Sequence, residues 1–196
     1  MNNARKNSLG RPRSTQSHQA ILQATLELLA EVGFERITVD AIASRAKAGK
    51  STIYRRYNSK GELVADAIES LREEIVIPDT GTLWSDIDAL IASAAQNTLN
   101  PLGRRTVAMI ISSASSDPEF AHIYWTKYLQ PRRQAFAIII ERAKVRQEIE
   151  ADIDPALVFD TMSGIMLYAQ IFQPTPELWE AFVRSALHLI IKKPLS

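Results

Sequence analysis

Thr38-Val39-Asp40-Ala41-Ile42-Ala43-Ser44-Arg45-Ala46-Lys47-Ala48-Gly49-Lys50-Ser51-Thr52-Ile53-Tyr54-Arg55-Arg56-Tyr57 settles the architecture of this chain. Thr38 is a helix-capping residue, and Val39, Ile42, Ala43 and Ala46 follow at the spacing of one helical face. Lys47-Ala48-Gly49 interrupts the pattern. A stubby helix, about Lys50 to Arg56, comes next, with Ile53 and Tyr57 turned inward. Two short helices joined by a tight turn predict helix-turn-helix geometry. The second helix then presents small residues, donors and cations outward: Gly49, Lys50, Ser51, Thr52, Tyr54, Arg55 and Arg56. That outward set is what reading base edges in a major groove requires.

The surroundings extend the same unit. Upstream, Ile21, Leu22, Thr25, Leu28, Leu29 and Val32 recur at steps of three and four from about Thr15 onward. Gly33 ends that helix where a left-handed cap is favoured. Downstream, Ser59-Lys60-Gly61-Glu62 has the form of a capping box, opening a fourth helix with Leu63, Val64, Ala67, Ile68, Leu71 and Ile75 as its stripe. Residues 1–13 are polar and basic, with no periodicity, and predict a flexible arm.

Pro78-Asp79-Thr80-Gly81 forms a linker, and beyond it four capping-residue–proline pairs punctuate the chain: Asn100-Pro101, Asp117-Pro118, Asp154-Pro155 and Thr175-Pro176. Proline lacks only an N–H that the first helical turn does not need. Helices are therefore predicted near 83–99, 102–115, 118–147, 155–172 and 176–192, the third kinked or broken by Pro131. Strand-like alternation is absent. The predicted fold is all-α: an arm (1–13), a helix-turn-helix domain (14–76) and a helical body (77–196).

Charge separates head from body. Residues 1–60 carry eleven basic against four acidic residues, whereas the remainder carries twelve against eighteen, within a net charge of +1. A basic head on an acidic body suits a polyanion partner for the head alone. The chain has no cysteine, which excludes a disulfide scaffold, a zinc-thiolate site and a cysteine nucleophile. His18, His122 and His188 fall in three different helices without metal-ligand spacing, so no metal and no cofactor is expected. Gly49-Lys50-Ser51 ends like a phosphate-binding loop, but the motif needs a further glycine where Ser44 stands. No apolar stretch precedes Ile21, and the best membrane candidate, Thr161 to Phe172, is short of the about 20 residues a span needs. A cytoplasmic protein without a membrane partner is the expectation.

Gly10-Arg11-Pro12-Arg13, the run from Ile21-Leu22 to Val32-Gly33-Phe34, and Thr38-Val39-Asp40-Ala41-Ile42-Ala43 together resemble the opening of a TetR-family transcription regulator. The strongest piece is Ala48 through Leu63, which is similar to that family's recognition helix, its aromatic ending and the Ser-Lys that starts helix four. Residues 10–70 carry the resemblance closely, and the remainder matches in layout. Lys47 departs from it, standing where a small residue is frequent. The resemblance implies phosphate contacts for Thr38, Tyr54 and Lys60. It implies base-edge contacts for Lys50, Ser51, Thr52 and Arg55, and a minor-groove reach for Arg11 and Arg13.

It further implies a homodimer on double-stranded DNA with a palindromic operator, repression as the commoner mode, and release by a small hydrophobic or aromatic effector. The dimer interface would come from the last two helices, through Leu157, Thr161, Ile165, Phe182, Ala186 and Ile190. The effector pocket would draw on Trp84, Met109, Tyr124, Trp125, Tyr128, Phe136, Met166 and Phe172. Two competing readings are a helical protein-interaction adaptor and an enzyme. No nucleophile elbow or Gly-rich cofactor loop supports the latter.

Overall fold

A computed structural model describes residues 11–71, 76–172 and 175–191, with side chains from residue 15 onward. The described residues are helical, with no strand: α1 (Arg11–Arg36), α2 (Val39–Arg45), α3 (Lys50–Tyr54), α4 (Lys60–Glu69), α5 (Leu83–Thr98), α6 (Pro101–Ser116), α7 (Pro118–Tyr124), α8 (Gln130–Val145), α9 (Pro155–Phe172) and α10 (Pro176–Ile190). α1 begins at Arg11, so residues 11–13 of the expected arm are helical; Pro12 sits in the first turn, where its missing N–H is harmless. Residues 1–10 of that arm lie outside the described residues.

The chain forms two compact units. The first comprises residues up to Leu71 together with Met109–Tyr124, so a mid-chain segment joins the head that the sequence divided off at residue 76. The reason is the apolar face of α4. Leu63, Val64, Ala65, Ala67 and Ile68 are all fully buried, more than α1 alone can cover, and α7 packs on them as well. Phe120 of α7 meets Phe34 at 5.2 Å between rings, and the Tyr124 hydroxyl donates to Glu69 (2.5 Å). Gly33 adopts φ 77°, ψ 169°, a conformation open essentially to glycine, and turns the chain out of α1.

The second unit, Arg72–Ala108 with Trp125–Ser196, is built on α5, α8, α9 and α10. Its core includes Leu83, Ile87, Ile139, Ile140, Trp179, Val183 and Leu187. Pro131 breaks the predicted 118–147 helix: α7 stops at Tyr124, a π-helical turn covers Trp125–Leu129, and α8 resumes at Gln130. Proline lacks an N–H and its ring crowds the preceding turn, and a widened turn relieves both. α9 is by length and composition alone apolar enough to cross a membrane, longer than the stretch from Thr161 expected, yet only 22% of it is buried inside the subunit.

Asp86, fully buried, holds the start of this unit together. Its Oδ1 accepts from the Thr80 N–H and hydroxyl, both at 2.7 Å, while its Oδ2 lies 3.9 Å from Arg146. Arg146 also donates to Glu148 (2.7 Å), and this bond holds the Glu148 carboxyl below the usual carboxylate range.

α6 enters against α5 at Gly103. A Cβ there would stand 2.1 Å from the Asn97 carbonyl oxygen and 2.7 Å from the Thr98 Cα. Backbone, not a flexible side chain, occupies the space. Gly103→Ala is therefore expected to force α5 and α6 apart and to cost about 1–3 kcal/mol in urea unfolding. An unchanged midpoint would show that the approach is looser than described.

Candidate nucleic-acid interface

α2 and α3 owe their placement to caps rather than length. Thr38 has extended backbone angles, and its Oγ1 accepts from the Ala41 N–H at 3.2 Å. The end of α2 closes with paired bonds, Ala48 N–H to the Ala43 carbonyl (3.0 Å) and Lys47 N–H to the Ser44 carbonyl (3.3 Å). This six-to-one, five-to-two pattern puts the donor of the inner bond in the left-handed region. That residue is Lys47, at φ 50°. The small residue frequent here in the resembling family now has a physical reason: an L side chain strains this backbone, and glycine does not.

Gly49 then caps α3, which spans five residues and ends two short of the expected Arg56. Its faces are sharply different. Ile53 is 1% exposed and Tyr57, just beyond, 4%, while Tyr54 is 59% exposed. Tyr57 stacks near His18 of α1 (6.3 Å), and burial pushes its hydroxyl upward in pKa. Lys50, Ser51, Arg55 and Arg56 face solvent, and Thr52 is half-buried. Tyr54 is thus no core aromatic.

Three cations of the first unit, Arg45, Lys50 and Lys60, are held by partners that the sequence did not reveal. Lys50 Nζ pairs with Asp40 Oδ1 at 2.7 Å, joining the starts of α3 and α2, and that bond raises the lysine pKa. Arg45 pairs with Glu31 at 2.6 Å. Lys60 Nζ donates to the Phe34 carbonyl (2.9 Å) and lies 4.3 Å above the Phe34 ring. Lys60 therefore fastens the start of α4 to the end of α1, where a cation complements the helix dipole. In the box at Ser59, the Ser59 Oγ accepts from the Glu62 N–H (3.1 Å), but Glu62 reaches back to Asn58 N–H (2.9 Å). Arg11 and Arg13 belong to α1 by backbone; their side chains lie outside the described residues.

In the second unit α5, α8 and α9 enclose a cavity of about 900 Å3 of atom-free space, part of it continuous with solvent. Phe136, Phe159, Met162, Met166 and Leu90 line it. Of the eight residues expected in a pocket, only Phe136 and Met166 do so. Tyr124 and Met109 belong to the first unit. Trp84 stacks on His188 at 3.5 Å, and Trp125, exposed, lies 5.5 Å from the Arg133 guanidinium. Tyr128 is half-buried outside the lining, and Phe172 is exposed beside Tyr168. Aromatic type signals apolar packing but not which space is filled.

On α9 and α10, Val158, Met162, Ala169, Val183, Leu187 and Ile191 are core. Of the expected interface residues, Leu157 is exposed, and Thr161, Ile165, Phe182, Ala186 and Ile190 are half-buried. Leu157, Thr161, Gly164, Tyr168 and Ile171 recur at steps of three and four, so α9 carries an apolar stripe outward.

Comparison with known proteins bears on this geometry directly. Residues 21–67 match the family described as bacterial regulatory proteins, tetR family, and residues 77–190 match the tetracyclin repressor-like C-terminal domain. An uncharacterised HTH-type transcriptional regulator of Bacillus subtilis is 31% identical, over 89% of this chain and 88% of its own. The DNA-binding transcriptional repressor TetR of Mycobacteroides abscessus is 28% identical, over 76% and 79%. A crystallised TetR family transcription regulator is 25% identical and superposes with a TM-score of 0.63, over 88% of this chain and 97% of that one.

The turn gives a test. A left-handed L residue costs roughly 1–2 kcal/mol, part of which glycine gives back in chain entropy. Lys47→Gly is expected to raise stability by about 0.5–1 kcal/mol in urea unfolding, and Lys47→Ala, which removes the charged chain but keeps the Cβ, is not. Equal effects of the two would place the strain elsewhere.

Proposed function

Because the chain belongs to the TetR family of DNA-binding transcriptional regulators, a family of non-enzymatic, dimeric proteins, we propose that it represses transcription from a palindromic operator. Two copies of α3 enter successive major grooves, and a small hydrophobic or aromatic effector releases them. The observation that carries this reading is the division of α3 itself: Ile53 and Tyr57 are sealed in the core, and every polar side chain of the segment faces outward or is half-buried. Repression is supported by the Mycobacteroides abscessus relative, which is named a DNA-binding transcriptional repressor.

The roles divide by position. Thr38 uses its oxygen lone pair on Ala41, which leaves the hydroxyl proton for a phosphate. Tyr54, exposed on the far side of α3, takes a second phosphate. Lys60 has three donors and uses one on Phe34, so a phosphate contact does not require that bond to break. Lys50, Ser51, Thr52 and Arg55 read base edges, and Lys50 exchanges Asp40 for a base at little cost, since exposed ion pairs are weak. Arg11 and Arg13 extend into the neighbouring minor groove.

A single five-residue helix offers too few contacts for specificity, and two-fold pairing supplies the second half-site. The exposed stripe of α9, with Leu178, Phe182 and Leu189 of α10, suits that pairing. At Gly164 an added Cβ would meet nothing within 4 Å, which leaves room for a partner helix to approach closely. Dimerisation through α9 gives its uncovered apolar length a protein partner, in keeping with a cytoplasmic protein. The cavity of the second unit receives the effector. Binding there lowers operator affinity only as far as the effector prefers the dimer state whose heads are wrongly spaced.

Gel shift on an operator selected from the source genome, across salt concentrations, tests the assignment. Affinity is expected to fall steeply as salt rises. Lys60→Ala should weaken all sequences alike and reduce the slope by about one, while Lys50→Ala or Arg55→Ala should relax preference at one position by roughly tenfold. A Lys60→Ala protein with altered sequence preference and an unchanged slope would overturn the roles. For the dimer, Tyr168→Arg with Ile171→Arg is expected to give a helical monomer in sedimentation that no longer binds the operator. A dimer that persists would move the interface away from α9.

A further inference from the structure

The cavity of the second unit joins a broad apolar wall to one short polar strip. Phe136 of α8 and Phe159 of α9 stand 5.8 Å apart between rings, tilted by 54°. Met162 and Met166, about one turn apart on α9, extend that wall. Thioethers are polarisable and pack well against aromatic edges, so the wall suits a flat ring system.

The polar strip comes from α5. α5 and α8 run antiparallel, since the Leu83 N–H at the start of α5 donates to Glu148 just past the end of α8 (2.6 Å). The last turn of α5 therefore closes one end of the cavity, where Ser93, Asn97 and Thr98 line it. Their bonds within the protein leave a definite remainder. Asn97 Nδ2 donates to Ser93 Oγ at 3.5 Å, and the Thr98 hydroxyl donates to the Ala94 carbonyl at 2.6 Å. The Ser93 proton, the Asn97 carbonyl oxygen and a lone pair on Thr98 Oγ1 remain for a ligand. A donor and two acceptors so close together match a hydroxyl group, which both gives and accepts hydrogen bonds.

A full charge finds no comparable place. The described lining residues include no Asp, Glu, Lys or His, so a cation meets no counter-charge. Arg132, also in the lining, is committed within the protein: it donates to the Tyr128 carbonyl at 2.9 Å and has a further partner. An anion would have to compete with those bonds. A charge taken out of water without a partner costs far more than a hydrogen-bonded hydroxyl.

On the effector-cavity reading above, we propose that the effector is an uncharged aromatic alcohol or phenol. Its rings lie on Phe136, Phe159 and the two methionines, and its hydroxyl meets Ser93 and Asn97.

Equilibrium dialysis of the full-length dimer at neutral pH tests this with four probes on one ring system: 2-(2-naphthyl)ethanol, 2-ethylnaphthalene, 2-naphthylacetate and 2-(2-naphthyl)ethylamine. The alcohol is expected to bind at least about tenfold tighter than the acid and the amine. Asn97→Leu should weaken the alcohol by about three- to tenfold and leave the hydrocarbon unchanged or tighter. Ala94→Phe, which fills the cavity, should weaken both.

An acid or amine that binds as tightly as the alcohol, or an alcohol affinity that Asn97→Leu leaves unchanged, would overturn the inference and leave the cavity reading standing. No binding of any probe, or binding that Ala94→Phe does not weaken, would overturn both. Should Asn97→Leu fail to fold, Ser93→Ala takes its place with the same expectation.

Discussion

A helix of five residues has no stability of its own, because nucleating a helical turn costs more than so few bonds return. α3 exists only because Ile53 and Tyr57 are clamped into the first unit, and the rest of that unit is arranged around the clamp. Thr38 and the paired bonds at Ala48 and Lys47 fix how α2 ends and in which direction the chain re-enters α3. Lys60 ties α4 back to the end of α1, and α7 closes the remaining apolar face of α4. What is left outward on α3 is a fixed display of small, hydroxylic and basic side chains. On the proposed reading, rigidity of the support is what turns that display into a reader of a groove.

The electrostatics of the head follow the same economy. Two of its cations are held by exposed partners, Lys50 by Asp40 and Arg45 by Glu31, in pairs that solvent weakens and an anion can replace. The side chains are thereby oriented before DNA arrives, without being locked. In the second unit the charged network lies deeper. Asp86, Arg146 and Glu148 join the start of α5 to the end of α8, and this antiparallel pairing carries Asn97 and Thr98 to one end of the cavity. The stripe of α9 that covers no part of its own subunit completes the division of labour. On the proposed reading, one unit reads DNA while the other senses the effector and pairs.

Much of this was legible in the residues. The step of three and four in α1, Gly33 at its end, Thr38 and Ser59 as caps, and the prolines opening α6, α7, α9 and α10 all act through local chemistry, and local chemistry is written in sequence. The left-handed strain at Lys47 was visible only as a departure from a familiar pattern, because backbone angle is not a property of lysine. The partners of Lys50 and Lys60 were not legible, since they depend on how helices far apart in the chain meet. Nor was the cavity: Leu90, Asn97 and Arg132 line it through the crossing of α5 and α8, whereas Trp84, Trp125 and Phe172, large and aromatic, pack elsewhere. The return of residues 109–124 to the first unit escaped for the same reason, as it answers to the uncovered face of α4 rather than to any signal in α7.

The central claim is that α3 is presented twice, by two-fold symmetry, to one duplex. Hydroxyl-radical footprinting of the selected operator measures this most directly. Two protected half-sites are expected, related by a dyad and separated by whole helical turns, so that they lie on one face of the DNA. A single protected patch without a dyad, or half-sites on opposite faces, would contradict it.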